Sequence, residues 1–169
     1  MITTINEWRI FNESQERVTI LMRGIPGSGK STRAKQLVGN GVIHSTDDLI
    51  EAQGDYNDFF AKMIEAKDFT PLIELHGKNL ANAIESMKSE ISPVIIDNTN
   101  LKMVDVKPYV VAAQELGYVI VIEDIGTGGL TAEELAARNT HAVPLNVIEN
   151  MIKTHQAESP FTVERILNA

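Results

Sequence analysis

The chain has 169 residues, 43% apolar and 22% charged, which suits one compact domain with its own core; no apolar run is long enough to span a bilayer. It contains no cysteine, which excludes disulfides and thiolate-held metal and fits a reducing, cytoplasmic setting. The net charge of −8 is uneven: residues 1–40 carry six basic and three acidic side chains, and residues 41–169 carry nine basic and twenty acidic. That distribution argues against a broad basic surface for gripping duplex DNA, but leaves room for a local phosphate site near the N-terminal end.

In chain order, residues 1–16 are expected to form an N-terminal extension, with Trp8, Ile10 and Phe11 packing on the domain that follows, 17–169. Met1–Trp8 shows no basic region followed by an apolar one, so no signal peptide is expected. The β-branched run Val18–Met22 predicts a buried strand. It leads into Gly24-Ile25-Pro26-Gly27-Ser28-Gly29-Lys30-Ser31-Thr32, which matches the phosphate-binding loop G-x-x-x-x-G-K-[ST] at every position. In such a loop Gly27, Ser28, Gly29, Lys30, Ser31 and Thr32 cradle nucleotide phosphates. The lysine reaches the β- and γ-phosphates and the Ser31 hydroxyl ligates Mg²⁺. Thr32–Val38 predicts the helix whose N-terminus lies under the phosphates.

A second short strand is expected over Gly41–Ser45, helices over 57–67 and 71–89, and a third strand over Pro93–Asp97. A helix over Val104–Leu116 stops at Gly117, and a fourth strand follows over Tyr118–Ile122. Gly126–Gly129 reads as a flexible break. Thr131 then caps a helix with acids in its first turn, and Pro144 restarts a last helix. The alternation predicts an α/β fold, a single P-loop domain with a parallel sheet of about four to five strands flanked by helices, and the glycine-flanked helix from Thr131 reads as a helical lid.

Ligands in such sheets bind beyond the C-terminal strand ends, where three chemically rich segments fall: the loop, Thr46-Asp47-Asp48, and Asp97-Asn98-Thr99-Asn100. Phosphoryl transfer to a hydroxyl needs a group that orients the acceptor and takes its proton. Asp47 is the first choice for that base, with Asp48 orienting substrate or capping the next helix. Asp97 ends an apolar strand, the position of an acid that holds Mg²⁺, and Asn98, Thr99 and Asn100 are candidate substrate contacts. Arg138, late in the helix from Thr131, is placed to stabilise charge on the transferring phosphoryl group. Arg23, Arg33 and Lys35 read as surface or secondary contacts, and the four histidines show no metal-ligand spacing.

With Ser45-Thr46-Asp47-Asp48, Ile96–Asn100 and Arg138-Asn139-Thr140-His141-Ala142-Val143-Pro144 following the loop in order, the chain resembles the polynucleotide-kinase branch of P-loop phosphotransferases. That branch includes bacteriophage 5′-polynucleotide kinases and phage kinases of 5-hydroxymethyluracil in DNA. His76 with Asn79, Lys107–Val110 and Gly117-Tyr118 fit its eukaryotic pattern. The resemblance implies ATP and Mg²⁺ as cofactors, transfer of the γ-phosphate to a hydroxyl of a nucleic acid (DNA foremost), Asp47 as general base, Lys30 as phosphate clamp and Arg138 in the lid. The chain departs from the phage pattern in the position of the acid at Asp97 and in a shorter lid carrying one arginine.

Two other readings stay open. One is a small-molecule or nucleotide kinase on the same scaffold, since fold does not fix the acceptor. The other is an ATP-binding regulatory switch without kinase activity, which would have no need of a base at Asp47. No guanine-reading Asn-Lys-x-Asp is present, against a GTPase.

Overall fold

Val18–Gly24 is buried along its whole length, as an apolar run without strict alternation requires of a central parallel strand covered on both faces. In the computed structural model, which describes residues 16–169, this strand is β1. It is followed by α1 (Lys30–Leu37), β2 (Val42–His44), α2 (Thr46–Glu51), α3 (Tyr56–Ala66), α4 (Thr70–Lys88), β3 (Val94–Ile96), α5 (Met103–Glu115), β4 (Val119–Gly126), α6 (Ala132–Arg138), α7 (Leu145–Ala157) and α8 (Val163–Leu167). The N-terminal extension expected over residues 1–16, with Trp8, Ile10 and Phe11, lies outside the described residues apart from Glu16.

The four strands form one parallel sheet in the order β2-β3-β1-β4. Side chains alternate across β1. Ile20 and Met22 pack with Ile95 and Val121 against Ala34 and Leu37 of α1. Leu21 packs on the other face with Ile96, Ile120 and Ile122, under Met87 of α4, Val106 and Val110 of α5, and Ile166 of α8. Each fully buried valine, leucine, isoleucine or methionine among them contributes ~1.5–3 kcal/mol relative to exposure. A third apolar cluster, Ile25, Leu101, Leu135 and Ile148, fixes α6 and α7 over the end of the sheet.

The strand order explains where the site lies. From β1 the chain crosses beyond β3 to lay down β2, returns to β3, and then places β4 on the opposite side of β1. Connections therefore diverge at the C-terminal ends of β1 and β3, opening a crevice there.

The structure differs from the sequence expectation in three places. β4 runs on to Gly126, through part of the expected glycine break. Two short helices, α2 and α8, had not been separated from their surroundings. Arg23 is no surface residue: it is fully buried, and its Nη1 donates to Asp124 Oδ2 at 2.7 Å. Its Nη2 donates to the carbonyls of Leu101 and His155, and its guanidinium lies 4.0 Å from the Phe161 ring centroid. Nε2 of His155 sits 2.8 Å from the other Asp124 oxygen. This cluster ties β1 and β4 to α7 and the C-terminal segment.

Candidate functional site

The loop after β1 is held from both sides. Gly24 N–H donates to the Thr99 carbonyl at 3.1 Å and Ile25 N–H to the Gly126 carbonyl at 2.9 Å, so the segments leaving β3 and β4 both brace it. Gly29 opens α1 in the left-handed region, with φ 94° and no side-chain cap. The first-turn N–H groups of α1 thus face the crevice without a capping side chain, where an anion is favoured. Gly27, at φ +85°, lies so close to α6 that a Cβ there would stand 2.6 Å from the Leu135 carbonyl oxygen. Glycine at this position lets the lid helix rest directly on the loop.

Lys30 Nζ donates to Asp97 Oδ1 at 2.8 Å, with both side chains nearly buried. Asp97 directly follows β3, and its backbone N–H donates to the His44 carbonyl. The polar string that follows divides its roles. Asn98 accepts from the Thr46 N–H at 2.9 Å. Thr99 lines the crevice beside the loop. Asn100 is buried at φ 49°; its amide donates to the Met22 carbonyl at 2.6 Å, and it does not line the crevice.

Asp47 stands in the first turn of α2, which Ser45 caps by accepting from the Asp48 N–H. The turn is anchored by Asn98 at the Thr46 N–H, and by His76, whose Nδ1 lies 3.0 Å from Thr46 Oγ1. Behind Asn98, Asn79 donates to the buried Tyr109 hydroxyl at 3.0 Å. Burial raises the Tyr109 phenol, opposed by hydrogen bonds from Asn79 and Asn98. These contacts from α4 and the segment after β3 anchor the backbone at Thr46, next to Asp47. The Tyr56 hydroxyl donates to Asp47 Oδ1 at 3.2 Å, and Nε2 of His141 stands 3.7 Å from Asp47 Oδ2 and 3.7 Å from Glu51 Oε1. Burial raises the Tyr56 phenol far above its ordinary value, with the Asp47 charge adding to it. Asp48 is exposed and does not line the crevice. Partial burial holds its carboxyl above the usual carboxylate range, helped by the charges of Glu51, Asp97 and Asp47.

The segment expected to act as a lid is α6 with the turn into α7. Thr131 and Glu134 form a reciprocal capping box at the start of α6, and Asn139 accepts from the Val143 N–H at 2.7 Å to shape the turn carrying His141. Arg138 ends α6 over the crevice.

A single cavity of about 460 Å³ is lined by Lys30, Ser31 and Thr32 on one side, Asp47, Tyr56 and Phe60 on another, and Arg138 with His141 above. Gly27, Gly29, Asn98 and Thr99 also line it. A larger depression of about 570 Å³ near Asp55, Asp58 and Lys62 includes neither the loop nor Asp47. The binding residues fit a nucleotide with Mg²⁺. Ser28 Oγ is buried without a hydrogen-bond partner inside the loop, and a Cβ on Gly29 would meet nothing within 4 Å. Ser31 and Asp97 carry hard oxygen atoms of the kind that a Mg²⁺ ion shared with phosphates takes. Among the described residues no cluster of three or more acidic or histidine side chains forms a cage for a metal ion.

The AAA domain family matches residues 19–158. Among curated proteins, NEDD4-binding protein 2 from Homo sapiens is 38% identical over 143 residues, a match covering 82% of this chain and 8% of the relative. The chain thus spans less than a tenth of that relative's length.

Proposed function

This chain belongs to the AAA domain family, a P-loop NTPase-like kinase family, and from that premise we propose that it transfers the γ-phosphate of ATP to a hydroxyl of a nucleic acid. The acceptor is a 5′-hydroxyl end or a hydroxymethyl group on a DNA base. The observation that carries this reading is that Lys30, Asp47 and Arg138 line one cavity. A pure nucleotide switch has no use for an anchored carboxylate opposite its phosphate loop.

In this reading the loop amides from Gly27 to Thr32 hold the phosphates, and Lys30 neutralises the β- and γ-oxygens. Ser31 and Asp97 would hold Mg²⁺ bound with the nucleotide, which would supply further charge neutralisation. Asp47 accepts the acceptor's proton as the new oxygen–phosphorus bond forms and the bond to ADP breaks. Asn98 and His76 anchor the backbone at Thr46, next to it. Arg138 places its guanidinium on the oxygens that gain charge. The lid, packed on Gly27, shields the transfer from water.

The test is a transfer assay with γ-labelled ATP and Mg²⁺ on three acceptors: a 5′-hydroxyl oligonucleotide, DNA containing 5-hydroxymethyluracil, and free nucleosides. Label on a DNA acceptor supports the reading. Label on nucleosides alone moves the protein to the small-molecule kinases, and ATP binding without transfer to any acceptor overturns the proposal.

A further inference from the structure

We propose that Tyr56 and Phe60, with His141 of the lid, form a stacking shelf for the acceptor's nucleobase beside Asp47, so that the acceptor is recognised through an unstacked base rather than through its phosphates. This deepens the kinase reading and rests on it for the identity of the acceptor.

The cavity has two chemically different halves. Among the described residues, the lysine and arginine lining it are Lys30 of the phosphate loop and Arg138, which ends the helix packed on that loop at Gly27. The half around Asp47 is built from rings. The Tyr56 and His141 rings stack with centroids 3.8 Å apart and planes at 23°. Phe60 lies 4.8 Å from Tyr56 on the same helix, one turn on, and Phe59 meets Phe60 edge-on at 5.6 Å.

These rings are not core. Tyr56, Phe59 and Phe60 are half-buried and belong to none of the three apolar clusters that hold the domain together. Tyr56 and Phe60 line the site cavity, whereas Phe59 lines the neighbouring depression with Ile50 and Met63. The Tyr56 hydroxyl touches one oxygen of Asp47, and the polar edge of the His141 ring stands 3.7 Å from the other. Tyr56 thus already carries, face to face, a planar heteroaromatic ring whose polar edge meets the carboxylate. A base bearing the acceptor hydroxyl needs that same arrangement.

The charge pattern points the same way. Asp47 and Glu51 sit at this end of the cavity, and a phosphate-rich strand would be repelled there. Stacking on aromatic side chains tolerates any base, because every base has a π-face. An enzyme acting on a base or on a strand end reaches it out of the duplex stack. A base enters between Tyr56 and His141 when the lid turn lifts by one ring thickness, so acceptor entry and lid position are coupled.

The test uses the whole chain and a single-stranded oligonucleotide with 2-aminopurine at the acceptor position, whose fluorescence is quenched on stacking. Wild type, Tyr56→Leu, Tyr56→Phe and Phe60→Leu are titrated in parallel, with ATP affinity and melting temperature as checks on folding. The shelf predicts quenching by wild type, affinity lowered about 5- to 100-fold in Tyr56→Leu and Phe60→Leu, and affinity retained in Tyr56→Phe. It also predicts less than about tenfold weakening between 50 and 200 mM salt, against the 10³–10⁵ expected of many phosphate contacts. Absence of quenching, leucine variants that bind as wild type does, or a steep salt dependence overturns the shelf. Phosphate transfer to the same oligonucleotide separates the two ideas. Transfer with an unchanged acceptor KM in Tyr56→Leu sinks the shelf and spares the kinase; quenching lost in Tyr56→Leu without any transfer supports the shelf and sinks the kinase.

Discussion

Replacing Gly27 with alanine tests how closely the lid rests on the phosphate loop. The added Cβ would stand 2.6 Å from the Leu135 carbonyl oxygen and 3.3 Å from the Asn139 nitrogen, both backbone atoms that cannot rotate away. Gly29 is the internal control: its φ of +94° is as unfavourable for alanine as the +85° of Gly27, yet its Cβ would meet nothing within 4 Å. Gly29→Ala therefore carries the conformational cost alone, about 1–2 kcal/mol, partly offset by the stiffer unfolded chain. Gly27→Ala adds the cost of pushing α6 away and loosening Leu135 from its cluster with Ile25 and Ile148, where overpacking costs about 1–3 kcal/mol more. At about 2–4 °C per kcal/mol for a domain of this size, Gly29→Ala should lower the apo melting temperature by about 2–6 °C and Gly27→Ala by roughly twice as much. Calorimetry of both variants without nucleotide reads this directly. Equal melting temperatures would refute the close approach of lid and loop.

Other perturbations follow from named contacts. Arg23→Met leaves Asp124 and the carbonyls of Leu101 and His155 without their buried donor; about 3–5 kcal/mol is expected, a fall of roughly 6–20 °C. Burial pushes the Asp124 carboxyl up, but bonds from His155 and Arg23 outweigh it and hold it below the usual range. Its contribution is therefore present above about pH 4 and lost as pH falls through the depressed value, so the stability gap between wild type and Asp124→Asn should close in acid. Asp48 is shifted the other way, by partial burial and then by its acidic neighbours. Ionising it opposes folding, so Asp48→Asn should melt higher than wild type at pH 7, with the difference vanishing below about pH 4. Arg138→Ala removes an exposed side chain at the end of α6; kcat for phosphate transfer should fall about 10²- to 10³-fold with the melting temperature unchanged.

Much of the frame was legible because its signals are contiguous. The loop is a nine-residue string between an apolar strand and a helix, and the strands at Val94–Ile96 and Val119–Gly126 announce themselves by β-branched runs. What stayed hidden depends on partners distant in the chain. Arg23 looked like a surface cation because its burial is made possible by Asp124, 101 residues away, and by a carbonyl of α7. The string Asp97-Asn98-Thr99-Asn100 read as one block of ligands, whereas the fold sends Asp97 to Lys30, Asn98 to the Thr46 N–H and Asn100 to strand carbonyls. Tyr56 lay outside every motif, and His141 stood in the lid motif 138–144 without a role of its own. Their meaning comes from a lid turn meeting α3, and the clue available in the sequence was the dense run Tyr56, Phe59, Phe60 in a chain with 5% aromatic residues. α2 and α8, with 6 and 5 residues, are too short for hydrophobic periodicity to register.

The central claim is that Asp47 takes a proton from a hydroxyl positioned opposite the phosphate loop. It is tested most directly by Asp47→Asn, assayed side by side for ATP affinity and for single-turnover transfer of label to the DNA acceptor. The account predicts ATP affinity close to that of wild type and a transfer rate lower by about 10²- to 10⁴-fold. Transfer at the wild-type rate by Asp47→Asn would contradict it.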